Sequence, residues 1–158
     1  MILDLVCPSR KELVGAFQRS LSDRLVALVS FGSRARGEAG KGSDWDLLVV
    51  IRARQARPVQ EVVALVMSLP ESWRGMISPI VWTLDELGEH ESSLLFDIAL
   101  DGEVLFDPEG HATRRLEVIR GRMAALGLRR THTPEGDIWR MVGSSADARA
   151  VLADGAEP

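Results

Sequence analysis

Cysteine occurs once, at Cys7, tyrosine not at all, and lysine only as Lys11 and Lys41. A single cysteine rules out an intrachain disulfide and suits a reducing compartment. No apolar stretch approaches the roughly 20 residues of a membrane helix. The N-terminus lacks the basic region and long apolar core of a secretion signal, so the cytoplasm is the expected compartment. Positive charge is not in excess either. The formal net charge of −4 excludes a chain built to coat nucleic acid, and direct nucleic-acid binding is not expected. His90, His111 and His132 are scattered without metal-ligand spacing and read as surface or packing residues. No nucleophilic pair with Cys7 is expected, and no internal repeat is evident.

What is present is an ordinary globular composition, with 46% hydrophobic and 27% charged residues over 158 positions. That length gives one domain with a real core, expected over residues 1–142. The small, polar segment 143–158 is expected to be a weakly ordered tail, or at most a short helix at 145–153. Two basic clusters, Arg52 with Arg54 and Arg57, and Arg129 with Arg130, read as solvated edges.

The chemistry concentrates between two apolar runs, Leu25–Phe31 and Leu47–Ile51, which have the pattern of strands buried on both faces. Between them stand Gly32-Ser33 and, ten residues later, Asp44-Trp45-Asp46. Residues two apart on a strand point to one face, so the two carboxylates project together and Trp45 turns toward the core. Carboxylates held so close repel, and a shared proton or a divalent cation relieves them. Beside a glycine turn and two arginines, a cation carrying substrate phosphates is the better match. Gly32 lets the backbone approach a phosphate, and Ser33 adds a hydroxyl donor. This is not a Walker-type phosphate loop, because Gly42 follows Lys41 where Ser or Thr is needed.

The segments Gly32-Ser33-Arg34-Ala35-Arg36-Gly37-Glu38-Ala39 and Ser43-Asp44-Trp45-Asp46-Leu47-Leu48-Val49 resemble the nucleotidyltransferase superfamily typified by DNA polymerase beta. Within it they are most similar to the minimal nucleotidyltransferases of prokaryotes, over about residues 25–107. The resemblance implies an α/β (α+β) fold, a mixed sheet flanked by helices. It implies transfer of a nucleoside monophosphate, AMP foremost, from a triphosphate such as ATP to a hydroxyl, with release of pyrophosphate. Asp44 and Asp46 would be the catalytic acids and the ligands of Mg²⁺, or of Mn²⁺ in its place. Gly32 and Ser33 would contact the triphosphate. Arg34 or Arg36 would neutralise phosphate charge, with bracing of the Glu38 region as the competing role.

One departure matters. The family places a third carboxylate on a neighbouring strand, and the best candidate here, Ile77–Thr83, has Ile80 where that acid belongs. Glu71, Asp85, Asp97 and Asp101 are possible substitutes that spacing does not support. The resemblance therefore also admits a catalytically weak or inactive nucleotide-binding protein, the antitoxin-like partner of a small helical toxin. Trp139 and the arginine-bearing helix are the candidate contacts. Homo-oligomerisation stays open. A small-molecule adenylylating enzyme fits poorly, because little room for an acceptor domain follows residue 107.

The remaining elements follow from pattern. Ser9 and Glu12 have capping-box spacing for a helix at 10–21 with Leu13, Phe17 and Leu21 on one stripe. A helical turn is expected at Arg34–Glu38. Pro58 suits the start of a helix through Leu69 with Val59, Val62, Val63 and Val66 on one face. A third strand is expected at Ile77–Thr83, where Pro79 suggests an edge position or a strand start. Helices at 84–89 and 92–100, a short strand at 103–106 and a long helix at 108–126 complete the order. Leu116, Ile119, Met123 and Leu126 form the apolar stripe of that helix, and Arg114, Arg115, Arg120 and Arg122 its solvated side. Gly127 is its expected stop. In the polar stretch 129–141, Trp139 is expected to dock the tail onto the body.

Overall fold

The computed structural model describes residues 7–52 and 57–142; Arg54 and the segment 143–158 lie outside the described residues. Helix α1 (Arg10–Leu21) starts at a capping box in which Ser9 and Glu12 satisfy each other's backbone N–H groups. It buries Leu13, Phe17 and Leu21, as its period predicts. A single 3₁₀ turn (Ser22–Arg24) leads into β1 (Leu25–Phe31). The four-residue α2 (Gly32–Ala35) follows directly, then β2 (Trp45–Ile51). Helices α3 (Pro58–Ser68) and α4 (Glu71–Arg74) precede β3 (Ile77–Thr83). The order continues with α5 (Leu84–Glu89), α6 (Ser93–Asp101), β4 (Glu103–Phe106) and α7 (His111–Ala125). It closes on a hairpin of β5 (Leu128–Thr133) and β6 (Gly136–Met141).

The main sheet runs β3-β2-β1-β4, with β2 and β3 parallel and the other two pairings antiparallel. The fold is therefore α+β with a mixed sheet. Alternation along β2 sorts the core into two layers. Trp45, Leu47, Val49 and Ile51 pack with Leu13, Phe17 and Val62 under α1 and α3. Leu48 and Val50 pack with Trp82, Leu95, Ile98, Leu116 and Ile119 under α6 and α7. Helices thus cover both faces, which is why β1 and β2 read as continuous apolar runs. Pro79 sits on β3, an edge strand of the sheet, where its missing N–H is tolerated.

Three expectations need correction. Val59 and Val63 lie on the outer side of α3, 53% and 49% exposed, because Val62, Leu65 and Val66 take the buried face. The helical turn after β1 spans Gly32–Ala35 instead of Arg34–Glu38, since the chain turns as soon as the strand ends. The arginines of α7 are not all a solvated face. Arg115 donates to the carbonyls of Leu87 and His90, and Arg120 to that of Ala99. Both cap the C-terminal ends of the helices packed alongside. The stretch 128–141 forms a two-stranded sheet, and Trp139 does dock it, edge-on to Phe96 at 5.7 Å.

Candidate active site

The site is built where β1 ends and β2 begins, on the α6 side of the sheet. Gly32 turns the chain with φ of +70°, in the left-handed region that disfavours any side chain. A Cβ at this position would also lie 2.3 Å from Oδ2 of Asp46. Conformation and space both demand glycine. The first turn of α2 leaves backbone N–H groups without helical acceptors, and Ser33 adds its hydroxyl there.

Across this turn, Asp46 is the second residue of β2, in register with Phe31 on β1 and Ser78 on β3. Asp44 stands just before the strand and is exposed. Between them Trp45 is buried, its indole N–H donating to the carbonyl of Pro8 at 3.2 Å and its backbone N–H to that of Met76 at 2.7 Å. The tryptophan is the peg that fixes how the flanking acids project. Arg34 reinforces it. Its guanidinium lies 4.9 Å from the Trp45 ring and its Nε donates to the carbonyls of Ser43 and Asp44 at 3.1 Å each.

Arg36 takes a different course. Its Nε donates to Glu38 at 2.8 Å and a terminal nitrogen reaches Asp101 on α6 at 3.5 Å. Burial pushes the Asp46 carboxyl above its ordinary range, the charge of Asp44 adds to this, and that of Arg36 opposes it. Among the described residues neither the Asp44 nor the Asp46 carboxylate accepts a hydrogen bond or joins an ion pair. A partly buried pair of carboxylates that repel and lack protein donors is a donor set suited to a divalent cation with further ligands from substrate.

The sequence pattern of the nucleotidyltransferase domain family matches residues 10–100, more than half of the 158. The chain belongs to the nucleotidyltransferase domain family. Its fold is similar to solved structures of low identity. One is a chain of a toxin–antitoxin complex with AMP-PNP, 14% identical, TM-score 0.52, covering 74% of this chain and 91% of that one. Another is a chain of a mutant MntA–HpeT toxin–antitoxin, 11% identical, TM-score 0.55, covering 94% of this chain and 98% of that one. No curated protein matches.

Within this nucleotidyltransferase domain, the parallel pairing of β2 with β3 shows what stands beside the acid pair. Ser78 is directly opposite Asp46, and Ile80 is opposite Leu48, two residues along the same face. Neither is an acid. Asp97 and Asp101 on α6 are occupied by Arg130 of β5, which reaches them at 3.2 and 2.6 Å. Asp85 lies in the first turn of α5 and Glu71 in α4. No group of three or more His, Cys, Asp or Glu able to hold a metal occurs among the described residues.

Gly32, Ser33, Arg34, Arg36, Asp44 and Asp46 lie together at this end of the sheet, beside an arginine–carboxylate network that spacing in the sequence does not reveal. A cavity of about 390 Å³ opens next to the turn, lined by Arg36, Glu38, Arg130, His132 and Asp137. Its far wall is the hairpin, whose only sequence signal was the turn-forming Pro134-Glu135-Gly136.

Proposed function

We propose that this nucleotidyltransferase domain binds a nucleoside triphosphate, ATP foremost, with a divalent cation, and transfers the nucleoside monophosphate to a hydroxyl acceptor in the cytoplasm. The observation that carries the reading is the seating of Gly32 against Asp46. A backbone turn with open N–H groups is packed onto Asp46, one of two neighbouring carboxylates that accept no hydrogen bond among the described residues. Asp44 and Asp46 would hold the cation, Mg²⁺ or Mn²⁺, which when bound supplies charge neutralisation on the phosphates and the leaving oxygen. Ser33 and the α2 backbone would donate to the triphosphate, and Arg36 would face its charge. Arg34 would act on the loop, holding Asp44 in place through the Ser43 and Asp44 carbonyls. The acceptor oxygen would bond to the α-phosphorus as the bond to the bridging oxygen breaks, with the hydroxyl proton passing to water and pyrophosphate leaving. Positioning and charge stabilisation are the protein's main contributions to such a step.

A second reading rests on Ser78 and Ile80, the non-acidic neighbours of Asp46 on β3. A positioned general base supplies about a hundred- to ten-thousand-fold in rate. Without it, nucleotide binding would outlast turnover, and the protein would serve as the nucleotide-binding antitoxin of a small helical toxin. The likeness to chains from toxin–antitoxin complexes supports such a partner. Isothermal titration with ATP and Mg²⁺ tests the site common to both readings. Asp44→Ala should bind at least tenfold more weakly than wild type, and equal binding would remove the site. Incubation with labelled ATP and cell extract separates the readings. Asp44-dependent label on an acceptor supports transfer, whereas binding without label, and co-purification of a helical partner, supports the antitoxin.

A further inference from the structure

Arg36 is placed by a chain of contacts that begins on the hairpin. Asp101, with a side chain only 12% exposed, is gripped by Arg130 through two nitrogens at 2.6 and 3.1 Å. Arg130 also holds Asp97 at 3.2 Å and approaches Asp137 on β6 at 3.7 Å. Oδ2 of Asp101, which accepts from Arg130 at 2.6 Å, also accepts from Arg36 at 3.5 Å. A two-pronged guanidinium grip fixes both the position and the plane of a carboxylate, which a single lysine contact does not. Asp101 is thereby a rigid stop for Arg36, with Glu38 holding the other side of the same guanidinium.

Arg36 remains accessible despite these contacts. It lines the cavity of about 390 Å³ together with Arg130, and its positive charge reaches Asp46. A guanidinium has five N–H donors, more than the two contacts to Glu38 and Asp101 use. The hairpin that supplies Arg130 lies beyond residues 10–100, the part that matches the family. It has no hydrogen-bonded pairing with the main sheet, so it acts on the site through side chains alone.

We propose that Arg130 is a positioning residue of the nucleotide site, holding Arg36 through Asp101 in the pose that meets the triphosphate. The inference rests on the nucleotide-binding reading given above. It assigns the hairpin a purpose in the site: this wall of the cavity sets how strongly the turn distinguishes a triphosphate from a monophosphate.

The test is isothermal titration of the full chain with ATP plus Mg²⁺ and, separately, with AMP. The readout is the preference for ATP over AMP. Arg36→Ala should reduce that preference roughly tenfold, the scale of one charge-assisted hydrogen bond. Arg130→Ala should reduce it about three- to tenfold while AMP affinity stays level. In the Arg36→Ala background, Arg130→Ala should then have no further effect. A general loss of positive charge would instead persist in that background. Arg130→Lys keeps the charge without the fork, and should recover only part of the preference even if Arg130→Ala does not fold. An unchanged preference in Arg130→Ala or Arg130→Lys, or losses that multiply in the double variant, would overturn the proposal. Those results would leave the nucleotide site standing. Wild type without ATP binding, or Asp44→Ala binding as well as wild type, would instead remove the site and the proposal together.

Discussion

Gly32 shows how much one missing side chain can decide. Its φ of +70° and the 2.3 Å separation of a Cβ from Asp46 Oδ2 act together. Gly32→Ala should lose about 1–3 kcal/mol of stability, read as a lower midpoint of thermal unfolding, with nucleotide binding lost as Asp46 is displaced. Asp46 behaves in the opposite sense. Its folded-state pKa is raised, so the native protein holds this proton more tightly than the unfolded chain does. Above the raised value the ionised carboxylate costs stability, and that cost fades as pH falls through it. Asp46→Asn should therefore raise the unfolding temperature by roughly 1–3 °C at pH 7 without metal. The gain should shrink on acidification, and a pH-independent gain would contradict the burial argument. At Ile80, Ile80→Asp adds an acid two residues along the β3 face from the position facing Asp46. It should raise label transfer from ATP if the missing base is what limits turnover. The acids and the glycine were legible in the sequence because their chemistry is carried by residue type and spacing. The partners of Arg36 were not, because Asp101 and Arg130 are 65 and 94 positions further along and only the fold brings them together.

Helices whose apolar stripe was periodic were the most readable: α1 spans the expected 10–21, whereas α7, expected over 108–126, starts only after Gly110 and runs His111–Ala125. In α3 the surplus of valine blurred the stripe, and only packing against β3 decided that Val62 and Val66 are buried while Val59 and Val63 are not. The hairpin was missed because its strands are largely exposed and lack alternating hydrophobicity. The arginines of α7 illustrate a different limit. From sequence they are a charged face, yet Arg115 closes the end of α5 and Arg120 the end of α6. Arg115→Ala leaves the Leu87 and His90 carbonyls without that donor and should cost about 1–2 kcal/mol in denaturant unfolding. Exposed Arg129→Ala, on β5, is the control and should change stability by less than about 0.5 kcal/mol.

For the whole molecule, the sheet between two helical layers and the separate hairpin are bodies of different strength. The central strands are buried on both faces, whereas β5 and β6 hydrogen-bond only to each other within sheets. Isolated two-stranded sheets are marginal in water. The docking of this one rests on Trp139 against Phe96, on Arg130, and on the close approach of Val142 to Gly127. Gly127, at φ of +59°, has its Cβ position 2.3 Å from the Val142 carbonyl oxygen, so the junction closes only around glycine. Hydrogen exchange should show the hairpin amides opening well before those of β1 and β2. Trp139→Ala should accelerate exchange in the hairpin and leave the central strands unchanged. Equal acceleration in both would mean that the hairpin is part of the cooperative core.

The burial of Trp45 between the two site acids has an optical consequence. The chain has no tyrosine and four tryptophans, so its near-ultraviolet emission is tryptophan emission alone. The indole at position 45 touches the arginine that braces the Asp44 loop and anchors to Pro8 ahead of α1. Any change in charge or loop geometry on filling the site passes across this ring. The protein thus carries its own fluorescent reporter, one that a Trp45→Phe substitution should silence while Trp73, Trp82 and Trp139 continue to emit.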